Sequence, residues 1–64
     1  MEYAGRITVE DANGTRLQIH EFRGRRLFKD VRQFVLENGA PVKRVDFDHY
    51  VVAPTGEVLV RIEG

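Results

Sequence analysis

Ten Lys+Arg balance ten Asp+Glu over 64 residues, with 42% hydrophobic side chains, no cysteine and no tryptophan. One domain spanning residues 1–64 is expected, and a chain this short buries only about 60% of the surface it exposes when unfolded. The composition excludes disulfides and thiolate metal sites, and zero net charge argues against a sequence-blind DNA coater, which is normally strongly basic.

The start, Met1-Glu2-Tyr3-Ala4, has neither the basic run nor the apolar stretch of a secretion signal. A cytoplasmic location is therefore expected, with no membrane contact. Charge is nevertheless uneven. Residues 1–32 carry seven basic and five acidic side chains (+2), and residues 33–64 carry three and five (−2).

Ile7-Thr8-Val9-Glu10 and Thr15-Arg16-Leu17-Gln18-Ile19 alternate apolar and polar residues around Asp11-Ala12-Asn13-Gly14. This reads as a β-hairpin with Gly14 at a left-handed position. The turn sets Val9 opposite Leu17 and Ile7 opposite Ile19, so both apolar pairs share one face. His20 then faces outward near Arg6.

From about Arg26 to Asn38 the residues Leu27, Val31, Phe34, Val35 and Asn38 recur at helical spacing, with Phe28 beside them. The pattern predicts an amphipathic helix, stopped by Asn38-Gly39 and then Pro41. The preceding segment, Arg23 to Arg32, holds five basic residues and one acidic one, a local charge of +4. A helix start is already electropositive, and only Gly24 is available as its cap. Arg23, Arg25, Arg26, Lys29 and Arg32 at that position form a candidate anion site, for phosphate or for an acidic protein surface. Arg16 and Arg6 are expected to extend the patch. The plainer reading is a solvated basic loop whose arginines pair with Glu21, Asp30 or Glu37.

The second hairpin is expected between about Val42 and Ile62. A Pro54-Thr55-Gly56 loop with a glycine bulge would pair Val52 with Val58, whereas a two-residue Thr55-Gly56 turn would pair Val51 with Val60 and hold Val45, Phe47 and Val51 inward; the second is preferred because a one-residue slip would expose Val45 and Phe47. That register puts Tyr50, Val52 and Leu59 on the opposite face as an exposed apolar cluster suited to partner binding. His49 would face inward beside Ile62. Asp46 and Asp48 would face outward, and two carboxylates on a strand are a weak metal signal.

The expected architecture is α+β in the order ββαββ: two β-hairpins form a four-stranded, largely antiparallel sheet with one helix packed on one face. No catalytic residue, metal ligand or cofactor is expected, because Cys and Ser are absent and Thr8, Thr15 and Thr55 have no base suggested nearby. The sequence points to a small non-enzymatic interaction module of adaptor or inhibitor type. Its binding residues would be Arg16, Arg23, Arg25, Arg26, Lys29, Arg32, Tyr50, Val52 and Leu59. The alternative is a nucleic-acid-binding domain using the same Arg/Lys cluster on phosphates. A twofold homodimer is expected from exposed sheet edges and complementary charge.

Overall fold

Six antiparallel strands follow one another around a closed barrel in the computed structural model, which describes residues 1–62. The strands are β1 (Glu2–Glu10), β2 (Arg16–Arg26), β3 (Lys29–Leu36), β4 (Pro41–Arg44), β5 (His49–Val52) and β6 (Val58–Arg61). Each pairs with the next. The cylinder closes where β1 meets β6, through Val9↔Arg61 and Glu10↔Val60.

The first hairpin follows the sequence reading. Val9 faces Leu17 and Ile7 faces Ile19. Gly14 sits at φ 80°, and the Asp11 carboxylate accepts the Asn13 and Thr15 backbone N–H groups at 2.9 Å, which fixes the turn.

The α+β expectation is overturned: no helix is present among the described residues. The segment expected as a helix is the turn of the β2–β3 hairpin and all of β3. The physical reason lies in the partners available. As a strand, β3 turns Phe34 and Leu36 into the interior, both buried, and pairs along its whole length with β2. A lone helix would have satisfied its own backbone but left one face of the four-stranded sheet bare, whereas the strand completes a closed interior. Gly39 does take the left-handed conformation, at φ 88°, but it turns β3 into β4.

The second hairpin adopts neither register considered from the sequence. Val51 pairs with Val58, Tyr50 with Leu59 and His49 with Val60. That register lies two residues from Val51↔Val60, so the same residues still share a face, and what is reversed is the face turned to the interior. Tyr50, Val52 and Leu59 point inward and are buried, while Val45 and Phe47 are 63% and 56% exposed. The single strand expected through Val45 and Phe47 is instead broken into β4 and β5, with both residues in the turn between them, and it is Val42, Tyr50 and Val52 that face the interior. His49 consequently faces outward, contrary to expectation.

The core is one cluster: Val9, Ile19, Phe34, Leu36, Val42, Tyr50, Val52 and Leu59, supported by Ile7, Leu17 and Ala40. Closure pairs β1 with β6, and strand backbone without a neighbour persists where β2 and β3 outrun β1 and β4.

Candidate functional site

Strand length creates the most distinctive feature. β2 and β3 have 11 and 8 residues, whereas β4, β5 and β6 have four each. The excess projects as an arm. β1 accompanies it only as far as Glu2↔Arg23, and β4 pairs with β3 only at Phe34 and Val35. Residues 24–31 are therefore a two-stranded ribbon with no third strand beside them. The molecule is accordingly elongated, 39 × 25 × 22 Å.

Three of the sequence-predicted cations, Arg25, Arg26 and Lys29, lie on this ribbon, and Arg23 and Arg32 face each other at its base. The pairs run Arg23↔Arg32, Gly24↔Val31, Arg25↔Asp30 and Arg26↔Lys29. Alternation places Arg23, Arg25, Asp30 and Arg32 on the face continuous with the barrel interior, and Arg26, Lys29 and Val31 on the outer face. Glu21 guards the base of the first set. Its largely buried carboxylate accepts from Arg23 Nε at 2.8 Å and lies 3.8 Å from Arg32 Nε. Arg23 and Arg32 are thus partly neutralised within the fold. Arg25, Arg26 and Lys29 have no carboxylate oxygen within 4.0 Å among the described residues. The basic cluster is real in space, but no helix terminus underlies it, so the helix-dipole contribution expected from the sequence is absent.

At the tip, Leu27 and Phe28 form the two-residue connection, at φ 49° and 68°. Positive φ at both central positions is the geometry of a type I′ turn, which favours Asn-Gly, Asp-Gly or Gly-Gly. Leu and Phe adopt it at a cost of about 1–2 kcal/mol per residue. They are also the most exposed large apolar residues, at 85% and 94%.

A second group lies on the outer face near the arm base. β1 carries a bulge between Tyr3 and Gly5, with Gly5 at φ 136°. The extra residue switches faces, so Tyr3 stands beside Phe22 and His20. The Tyr3 ring meets Phe22 edge-on at 5.5 Å and lies 5.7 Å from the His20 ring. With the His20 proton on Nε2, Tyr3 O–H donates to Nδ1 at 3.0 Å, and Nε2 lies 3.9 Å from Glu37. The sequence reading missed Tyr3 and Phe22, and alternation alone misassigns Tyr3 because the bulge is not visible in it. Gly24 lies against the first residue of the chain: a Cβ there would meet Met1 Cγ at 3.0 Å.

The remaining expected site residues separate from the arm. Arg16 begins β2 and lines a cleft of about 340 Å³ with Leu17, Glu37 and Glu57. Ten residues of strand rise, about 33 Å, set it apart from Arg26. Tyr50, Val52 and Leu59 form no binding patch, since all three are core.

On the barrel rim, Asp46 accepts hydrogen bonds from the Asp48 and His49 backbone N–H groups and from His49 Nδ1 at 2.8 Å. The His49 side chain, followed by the Asp48 N–H, holds the Asp46 carboxyl below its ordinary value. Beside it, Arg61 and Arg44 lie over the Phe47 ring at 4.5 and 5.6 Å. No cluster of three metal-ligating side chains and no helix long and apolar enough to cross a membrane occurs among the described residues. No protein-family model matches the chain, and neither a curated protein nor a solved structure is detectably similar to it.

Proposed function

We propose that this protein is a non-enzymatic, cytoplasmic nucleic-acid-binding module that contacts phosphates with its projecting β2–β3 arm. One observation carries the reading. The β2–β3 arm and its base concentrate five cations and one carboxylate between Arg23 and Arg32, and the cations nearest the tip, Arg25, Arg26 and Lys29, lack intramolecular carboxylate partners among the described residues. Unpaired guanidinium and ammonium groups on one narrow element are suited to successive phosphates, and a two-stranded ribbon is an element that a DNA groove admits. Neutral overall charge is compatible with this, because the field near the arm is set by its local excess. The reading as a protein-docking module loses a principal support, since the apolar patch it invoked is the barrel core.

The test is fluorescence anisotropy with a labelled duplex across a salt series. Three phosphate contacts give a log–log slope near −2.7, so affinity falls about 40-fold between 50 and 200 mM salt. Arg25→Glu/Arg26→Glu should abolish binding without changing the circular dichroism spectrum. A wild-type protein that fails to associate with DNA or RNA at low salt overturns the reading.

A further inference from the structure

The geometry points to Leu27 and Phe28 acting as an apolar wedge that enters a base step of a nucleic-acid duplex and kinks it. This inference rests on the phosphate-binding reading above and adds what the arm does once bound.

Leu27 and Phe28 are the outermost residues of the ribbon, and almost all of their surface is in water. Each carries the backbone penalty of a left-handed conformation that an Asn-Gly pair would avoid. Both features work against the stability of the free molecule. Leaving an apolar side chain of this size exposed forgoes about 1.5–3 kcal/mol of burial. Strain and exposure at one point motivate a functional explanation, because a conformation of this kind persists where something other than fold stability selects it.

The neighbours of the tip indicate what meets it. Arg26 and Lys29 flank the turn as its closing pair, and Arg25 and Asp30 form the next pair. Apolar side chains held between cations match a surface where anionic groups border stacked apolar rings. A duplex groove presents this arrangement, with phosphates on both rims and base pairs between. Side chains such as Phe and Leu are known to enter base steps, unstacking them at a cost of a few kcal/mol. An aromatic ring recovers part of that cost, since stacking on a base contributes about 1–3 kcal/mol. An anionic lipid surface is the less suitable counterpart. Such surfaces are typically recognised through four to eight clustered cations, and the arm offers three that are free of intramolecular ion pairs among the described residues.

A wedge has a signature that phosphate contact alone lacks: it favours duplexes that are already weakened. The experiment compares wild type with Leu27→Asn/Phe28→Gly, a substitution that suits the I′ turn and preserves every cation. Binding to a perfect duplex and to one with a central mismatch is read by anisotropy, and bending by energy transfer between the duplex ends. Wild type should bind the mismatched duplex about tenfold more tightly and shorten the end-to-end distance. The variant should bind both duplexes equally and bend neither, with its salt slope retained. If wild type binds with the expected salt slope but without preference or bending, the wedge is refuted and the phosphate-binding reading stands. If wild type binds no duplex at low salt, both fall. If the variant loses association with vesicles of anionic phospholipid while its binding to both duplexes matches wild type, the tip is a lipid-docking element and the wedge is refuted.

Discussion

Among the described residues Tyr50 is the largest fully buried side chain, and its hydroxyl has no hydrogen-bond partner there. The ring packs edge-on against Phe34 with centroids 5.7 Å apart. The aromatic body therefore stabilises the barrel while the oxygen opposes it. Burying an unpaired hydroxyl costs about 1–3 kcal/mol on the scale of protein substitutions. Tyr50→Phe removes that cost and forfeits only the dispersion contacts of one oxygen, at about 0.1–0.2 kcal/mol each. A net gain of about 1 kcal/mol is expected, which in a domain of this size raises the melting temperature by about 4–8 °C. Thermal and urea denaturation followed by circular dichroism measure it directly. Tyr50→Ala is the companion: it removes the ring, costs about 3–5 kcal/mol and consumes much of a total that for small domains is about 5–15 kcal/mol. A Tyr50→Phe variant that melts several degrees below wild type would show that the hydroxyl is hydrogen-bonded in solution, and the account of this core would be wrong.

Two further outcomes follow from other parts of the molecule. The Asp46 carboxyl is held below its ordinary value, so its ionised form is favoured by folding. Its contribution is present above the unfolded value of about 3.9 and disappears as pH falls through the lower folded value. The melting-temperature difference between wild type and Asp46→Asn should accordingly shrink between pH 5 and pH 2, and a constant difference would contradict the His49–Asp46 contact. Leu27→Asn/Phe28→Gly relieves backbone strain in an element with few neighbours, so its effect is local. Hydrogen exchange at the arm amides should slow about tenfold while exchange in the barrel is unchanged; unaltered arm exchange would mean that the turn is not strained.

The legible parts of this protein were those governed by neighbours in the chain. Asp11-Ala12-Asn13-Gly14 contains its own turn chemistry, so the first hairpin and its register followed from the sequence, and the gathering of cations between Arg23 and Arg32 was visible because ten consecutive residues suffice to show it. The tertiary structure decided the rest. Leu27, Val31, Phe34 and Val35 satisfy a helical period, yet Phe34 and Leu36 are buried as a strand because β2 and β4 supply hydrogen-bond partners on both sides. The inward face of the second hairpin was decided in the same way by packing, since Val51, Val58 and Val60 on one face are as apolar as Tyr50, Val52 and Leu59 on the other. Closing the cylinder through Val9 and Arg61 joins residues 52 positions apart, and placing Tyr50 rather than Phe47 inside belongs to that closed interior. Turn geometry is a property of a few adjacent residues, whereas burial is a property of the whole enclosed volume, and no local pattern encodes it.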